Sequence, residues 1–244
     1  MNSPILAVIP ARGGSKGLPR KNIRPLCGLP LLAHSLRCAA ASGVVDRTVV
    51  STDDEEIAQV ARDAGGWAPF LRPAELSRDD TPMLPVLRHA LLAVEALEGK
   101  RFEALLLLDP TSPTRMPEEI ARAAEMLAAD PSLDGVIGCS KPDFNPFWVG
   151  VTPQDGVLAR AFDGTGYARR QDVPPFYRIN GALYLWRRDF LLGAPDADWL
   201  TAGRHAMLEI PESRAFSIDD ETQLRVLEAV IRSGIISLPW LGSE

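Results

Sequence analysis

Hydrophobic positions along the chain alternate between short unbroken runs and stripes with helical spacing. The unbroken runs over 5–9 and 104–108 predict strands that are buried in the middle of a sheet. The rest of the pattern predicts helices over 30–42, 54–64, 82–97 and 117–129, a C-terminal helix after residue 222, and strands over 47–51, 68–71, 135–139 and 181–186. Strands that alternate with helices indicate an α/β fold, in which helices cover both faces of a mostly parallel sheet to form three layers.

The segment 141–180 interrupts this order, because it is rich in proline and aromatic residues and has no long helical stripe. We interpret it as an excursion of short antiparallel strands and loops. The α/β domain then comprises residues 1–140 and 181–244.

The loop after the first predicted strand concentrates glycine, positive charge and a hydroxyl group. Glycines let backbone N–H groups approach an anion without interference from a Cβ, and cations add charge, so the pattern indicates a polyphosphate site. The residues concerned are Arg12, Gly13, Gly14, Ser15, Lys16, Gly17, Arg20 and Lys21. Their spacing differs from the P-loop and from the dinucleotide-binding glycine motif. The alternative is a flexible basic surface loop.

Composition narrows the choice of partners and compartment. The chain has 244 residues, 46% of them hydrophobic, and a formal net charge of −6, which argues against a general nucleic-acid or membrane binder. Cys27, Cys38 and Cys139 lie far apart, which suggests a reducing compartment. The early first strand argues against a signal peptide, and apolar runs are far shorter than the roughly 20 residues of a membrane span. We therefore expect a cytoplasmic protein.

The second predicted strand ends at Ser51-Thr52-Asp53, a position that is usually at the ligand edge of a parallel sheet. The simpler interpretation is that Asp53 caps the helix that follows.

Residues 11–22, Ala-Arg-Gly-Gly-Ser-Lys-Gly-Leu-Pro-Arg-Lys-Asn, resemble the signature loop of the sugar-acid cytidylyltransferases. These enzymes activate sialic, legionaminic and pseudaminic acids. The resemblance implies that this glycine loop wraps the triphosphate of CTP and that Arg12 and Lys21 take part in catalysis. The implied nucleotide-binding residues of the loop are Arg12, Gly13, Gly14, Ser15, Lys16, Lys21 and Asn22.

The proline-rich stretch that begins with Arg72 resembles the second nucleotide motif of the same family, in which the matching arginine contacts cytosine. The segment 77–81, Ser-Arg-Asp-Asp-Thr, departs from the family pattern Ala-x-Asp-Thr/Ser. A structural arginine in a surface loop is the alternative for Arg72.

The run over 104–108 ends in Asp109-Pro-Thr-Ser-Pro, which resembles the family motif Gln-Pro-Thr-Ser-Pro. Asp109 replaces a glutamine that contacts the sugar in sialic acid enzymes, and Thr111 and Ser112 are implied sugar contacts. A carboxylate at the end of a central strand is well placed to hold Mg²⁺. A turn residue before proline is the alternative for Asp109.

The segment 169–182 resembles the family pattern Arg-x-Gln-x-x-Pro-x-x-x-Arg-x-Asn-Gly-Ala. The resemblance implies that Arg170 and Arg178 face the carboxylate and phosphates, and that Gln171 and Asn180 contact the sugar. In the family this region is a dimerisation arm that exchanges with a second subunit, which implies a homodimer.

An acidic cluster over 217–222 precedes the last predicted helix, and capping of that helix is its simplest explanation. The family has two Mg²⁺ ligands here in the pattern Asp-x-Asp. Asp219 matches the first ligand and has an implied catalytic role. The second ligand aligns with Glu221 when the match has no gap, and Asp220 is the alternative for it.

The resemblance implies transfer of CMP from CTP to the anomeric hydroxyl of a 2-keto nonulosonic acid, with release of pyrophosphate and with Mg²⁺ as cofactor. One alternative is a ketodeoxyoctonate cytidylyltransferase or another sugar nucleotidyltransferase of the same fold. The other alternative is a nucleotide-binding relative that has lost catalysis, because Asp109 and the 219–221 cluster depart from the family pattern.

Overall fold

The computed structural model describes residues 3–15, 17–162 and 166–242. The strands are β1 (Ile5–Pro10), β2 (Pro25–Leu26), β3 (Leu29–Pro30), β4 (Arg47–Ser51), β5 (Ala104–Leu107), β6 (Gly135–Ser140), β7 (Val151–Gln154), β8 (Val157–Arg160), β9 (Arg178–Arg187) and β10 (His205–Glu209). The α-helices are α1 (Leu31–Ala41), α2 (Glu55–Asp63), α3 (Met83–Glu98), α4 (Pro117–Ala129), α5 (Pro146–Val149), α6 (Arg188–Gly193), α7 (Trp199–Ala202) and α8 (Glu221–Arg232).

A central sheet organises the fold, and in the described residues its strand order is β10-β6-β9-β5-β1-β4. The pairs β1–β4, β1–β5 and β6–β10 are parallel, whereas β9 runs antiparallel to both β5 and β6. Residues of α1, α2 and α4 pack on one face of the sheet, and residues of α3 and α6 pack on the other. The predicted α/β fold, with a mostly parallel sheet between two helical layers, is confirmed.

The predicted strand over 68–71 is wrong. The structure has only one isolated parallel bridge there, between Thr52 and Leu71. The backbone still follows the end of β4, because Val50 N–H donates to Trp67 O at 2.8 Å and Arg72 N–H donates to Thr52 O at 2.7 Å. Pro69 lies between these two bonds and has no N–H to continue the ladder.

The sheet also contains elements that the pattern of apolar positions did not show. β9 begins at Arg178, three residues before the predicted start, and β10 has no predicted counterpart. β10 is an edge strand in which only Leu208 is fully buried, so it lacks the apolar run that marks the central strands.

The segment 141–180 contains the short helix α5 and the antiparallel hairpin β7–β8, so the prediction of short antiparallel strands is confirmed. The hairpin turns at Asp155 and Gly156, whose positive φ angles of 50° and 83° suit a tight two-residue turn. Its apolar side chains Val157 and Leu158 are 67% and 76% exposed. A role of this segment as a dimerisation arm stays a prediction. Within the part of the chain that the structure describes, no helix combines the length and the apolar character that crossing a bilayer requires.

Candidate active site

A cleft of about 340 Å³ opens where β1 and β5 end, on the side of the sheet where parallel strands usually present ligand-binding residues. The cleft brings together predicted residues from four separate stretches of sequence. It is lined by Pro10, Arg12, Ser15, Gly17, Lys21, Asn22, Arg72, Met83, Asp109, Thr111 and Asp219.

Carboxylates behind the glycine loop hold its backbone in place. Asp53 Oδ1 accepts a hydrogen bond of 3.0 Å from Gly13 N–H, and Asp54 pairs with the guanidinium of Arg20 at 2.5 Å. The bond from Arg20 keeps the pKa of Asp54 below its ordinary value. The expectation that Asp53 caps α2 is wrong, because Asp54 accepts from Ile57 N–H at 3.1 Å and is the cap.

The glycine loop also contacts the segment that carries Asp219. A Cβ on Gly17 would lie 2.5 Å from the carbonyl oxygen of Asp219, so only glycine fits there without movement. Leu18 and Ile218 are buried in one small hydrophobic cluster with residues of α8. Asn22 is buried and donates from Nδ2 to Arg12 O at 3.0 Å, which fixes the two ends of the loop to each other. The predicted nucleotide contact Lys16 lies outside the described residues.

Two cations of the loop are paired with carboxylates across the cleft. Arg12 Nη1 lies 2.5 Å from Asp79 Oδ1, and Lys21 Nζ lies 2.9 Å from Asp219 Oδ1. All four side chains have some exposure, so water screens both pairs and a polyphosphate can compete for the cations.

Arg72 is only 6% exposed although it lines the cleft. Its Nη2 donates to Ser51 O at 3.3 Å, but its Nε has no hydrogen-bond partner among the described residues. Burial lowers the pKa of Arg72. Arg72 therefore borders the cleft as a largely buried cation, and leaving its Nε–H unpaired is costly.

Asp109 lines the same cleft and also forms a local turn. Its Oδ1 accepts from Thr111 N–H at 3.0 Å and from Thr111 Oγ1 at 2.9 Å. Behind this turn lies Arg115, which is 1% exposed and donates to Asp109 O, to Ala182 O at 2.6 Å and to Ser35 Oγ at 2.7 Å. Arg115 is not among the predicted site residues, and its place six residues after Asp109 in the same stretch of sequence is the signal that could have identified it.

The acidic residues over 219–221 have three different environments. Asp219 lines the cleft, whereas Asp220 caps α8 by accepting from Gln223 N–H at 2.8 Å. Glu221 pairs with Arg225 and Arg24 at 3.2 and 2.7 Å, and these arginines lower the pKa of its carboxyl group. The structure therefore places Asp219 beside the glycine loop and places Glu221 outside the lining of the cleft.

The other predicted sugar contacts do not line this cleft. Arg170 and Gln171 line a second cleft of about 470 Å³, together with Lys141, Phe144 and Phe176 of the excursion.

Three further predicted sugar contacts are buried in the protein or paired with other residues of it. Arg178 pairs with Glu212 at 3.0 Å, and Ser112 is only 2% exposed. Asn180 is 3% exposed and donates from Nδ2 to Ser140 Oγ at 2.9 Å.

Comparisons with known proteins identify the family to which this chain belongs. The family model described as "Cytidylyltransferase" matches residues 6–196. Post-translational flagellin modification protein B of Campylobacter coli is 35% identical over 230 residues, which are 94% of this chain and 96% of that protein. CMP-N,N'-diacetyllegionaminic acid synthase of Campylobacter jejuni is 35% identical over 227 residues, 93% of this chain and 94% of that protein.

A solved structure of a CMP:2-keto-3-deoxy-manno-octonic acid synthetase complexed with CTP has the same fold. Its TM-score is 0.71 at 19% identity, and the match covers 95% of this chain and 100% of that chain. A 4-diphosphocytidyl-2C-methyl-D-erythritol synthase matches with a TM-score of 0.68 at 15% identity, over 95% of this chain and 99% of that chain. Because the family model spans most of the chain and close relatives span nearly all of it, this protein belongs to the cytidylyltransferase family.

Proposed function

We propose that this protein transfers CMP from CTP to the anomeric hydroxyl of a nonulosonic acid and releases pyrophosphate. The observation that carries the proposal is the cleft that combines the glycine loop, the buried Arg72, and the carboxylates Asp109 and Asp219. The relatives named CMP-N,N'-diacetyllegionaminic acid synthase and pseudaminic acid cytidylyltransferase support a nonulosonic acid as the acceptor.

In this proposal the glycine loop binds the β- and γ-phosphates of CTP. Arg12 and Lys21 exchange their present carboxylate partners for phosphate oxygens, and Ser15 adds a hydroxyl donor. The hydroxyl group of the acceptor attacks the α-phosphorus while the bond to pyrophosphate breaks. Cations fixed beside the leaving group stabilise the charge that develops on it, which lowers the barrier. Arg72 lines the cleft, and the N–H donors of its guanidinium are suited to a carbonyl acceptor such as that of cytosine.

Asp109 and Asp219 line the same cleft and would hold a magnesium ion together with phosphate oxygens of CTP. The described residues contain no cluster of three or more metal-binding side chains, but Mg²⁺ usually takes one or two carboxylates and completes its shell with phosphate and water. When bound, Mg²⁺ would neutralise phosphate charge and favour ionisation of the attacking hydroxyl. Glu221 as a ligand would first have to leave Arg24 and Arg225.

We also propose that a second subunit completes the acceptor site. Arg170 and Gln171 line the cleft in the excursion, where Phe144, Val157 and Leu158 are exposed apolar side chains that a partner can cover. Light scattering at micromolar concentration is expected to show a dimer, and a fully active monomer would contradict this part of the proposal. We further propose that the protein is located in the cytoplasm.

Pyrophosphate release in the presence of CTP and Mg²⁺ tests the function. We expect turnover with at least one acid from a panel of legionaminic, pseudaminic and N-acetylneuraminic acids. Turnover with ketodeoxyoctonate alone would favour the alternative acceptor class. No turnover with any member of the panel, in a protein that still binds CTP, would favour a binding protein without catalysis.

Two substitutions in the glycine loop connect the activity to the cleft. Arg12→Ala and Lys21→Ala each remove a charge-assisted phosphate contact of roughly 1.5–3 kcal/mol, so kcat/KM for CTP should fall by about 10- to 150-fold. Arg101→Ala is the matched control, because it removes an exposed ion pair with Asp189 outside the cleft. Unchanged CTP kinetics in both loop variants would contradict the assignment.

A further inference from the structure

Arg178 contacts a different part of the protein from the one that its sequence motif implies. It lies at the start of β9 and lines neither of the two clefts described above. Its Nε donates to Glu212 Oε1 and Oε2 at 3.0 and 3.1 Å, and its Nη2 donates to Ala215 O at 3.1 Å. The guanidinium therefore uses its planar fork on a carboxylate and on a backbone carbonyl of the same short segment.

That segment leads directly to Asp219, and we name residues 211–219 the Asp219 segment. It contains only a 3-10 turn at Glu212–Arg214, so side-chain contacts must hold much of it in place. Thr114 Oγ1 donates to Arg214 O at 2.6 Å, and Ile218 N–H donates to Thr111 O at 2.9 Å. Anchors from β9 and from the loop after β5 thus hold both ends of the Asp219 segment.

The far end of the Asp219 segment forms one wall of the cleft. Asp219 Oδ1 lies 2.9 Å from Lys21 Nζ, and the backbone carbonyl oxygen of Asp219 leaves no room for a Cβ on Gly17. Ile218 is fully buried, so a shift that begins near Ala215 is passed on to Asp219 through a packed residue. The position of the Asp219 carboxylate relative to the glycine loop consequently depends on contacts made four residues earlier.

We propose that Arg178 is a positioning residue, which acts through Glu212 and Ala215 to fix the Asp219 segment against the glycine loop. It is then not a sugar contact. The effect on the segment stands independently of the activity, whereas the effect on turnover rests on the proposed function. Arginine is favoured because its planar fork presents donors on separate nitrogens to the carboxylate and to the Ala215 carbonyl, whereas lysine donates all its hydrogen bonds from one nitrogen.

Hydrogen exchange in the ligand-free protein tests the positioning directly. Arg178→Met and Glu212→Gln should each speed exchange of the Ile218 amide by about tenfold, because each removes charge-assisted hydrogen bonds that hold the segment. The double variant should exchange no faster than Arg178→Met, since both changes break the Arg178–Glu212 interaction and only Arg178→Met also removes the bond to Ala215 O. Arg101→Met is the matched control, because it removes an exposed ion pair elsewhere and should leave Ile218 protected.

Kinetics then separate positioning from sugar binding. Both variants should lower kcat with CTP and leave KM for the sugar acid within about twofold. Arg178→Lys should give an intermediate exchange rate, and it replaces Arg178→Met in the test if that variant does not fold. Unchanged Ile218 exchange in the Arg178 and Glu212 variants would overturn the proposal, and a raised sugar-acid KM in the Arg178 variant alone would make Arg178 a ligand. If the proposed function is wrong, the wild type will show no turnover, and the hydrogen-exchange result can still be interpreted.

Discussion

Gly17 offers a stringent test of the cleft, because the structure shows what a methyl group at this position would meet. A Cβ on Gly17 would lie 2.5 Å from the carbonyl oxygen of Asp219, which is a backbone atom that cannot rotate away. Gly17 has no positive φ angle, so Gly17→Ala introduces a steric conflict without backbone strain.

The size of the effect follows from the movement that relieves this conflict. Ordinary contact begins at 3.4 Å, so the glycine loop and Asp219 must separate by about 0.9 Å. Overpacking of this kind typically destabilises a protein by about 1–3 kcal/mol. A displacement of about 1 Å between groups that act together can also cost about 100-fold in rate. We therefore expect Gly17→Ala to lower kcat/KM for CTP by about 100-fold.

The assay is pyrophosphate release with CTP, combined with the free energy of unfolding in urea. Gly193→Ala is the control, because a Cβ on Gly193 would have no described heavy atom within 4 Å and the residue lies outside the cleft. Gly14→Ala is also free of clashes with described residues, so any loss that it causes would report the approach of phosphate to the loop. The reasoning is refuted if Gly17→Ala and Gly193→Ala are indistinguishable in both stability and kcat/KM.

Three further predictions follow from charged and buried groups. His34 is buried between Leu26 O and the Nε1–H of Trp240, and burial lowers its pKa to about 4. The unfolded chain therefore takes up a proton at His34 at a higher pH than the folded protein does. The free energy of unfolding should be at its full value above about pH 6.5 and should fall by about 3 kcal/mol toward pH 4. Urea unfolding at several pH values measures this, and a His34→Gln variant with the same pH slope would contradict it. Asp109→Asn should raise the Mg²⁺ concentration needed for half-maximal rate, whereas a change confined to KM for the sugar acid would make Asp109 a sugar contact. Asp79→Asn should tighten binding of inorganic pyrophosphate by several-fold in calorimetry, because Arg12 then has no competing anion at Asp79; weaker binding would instead show that Asp79 orients Arg12.

Local patterns in the sequence were enough to predict five of the six described strands of the central sheet and much of the cleft. The apolar runs that became β1 and β5 are buried on both faces, and a contiguous run of this kind is a strong local signal. Arg12 and Asp109 are far apart in sequence, yet both line the cleft because each follows the end of a strand at the same edge of the sheet. The glycine loop was recognisable because its residues are adjacent in sequence.

Only the tertiary structure decided which partner each polar side chain takes. Asp53 anchors Gly13 while its neighbour Asp54 caps α2, and nothing in their sequence distinguishes the two carboxylates. Arg115 and Arg178 donate hydrogen bonds to groups on other elements, and the donor–acceptor distances depend on how those elements pack. Sequence periodicity describes which face of an element is buried. A hydrogen bond, however, requires its donor and acceptor atoms to lie about 3 Å apart, and the packing of segments that are distant in sequence decides that separation.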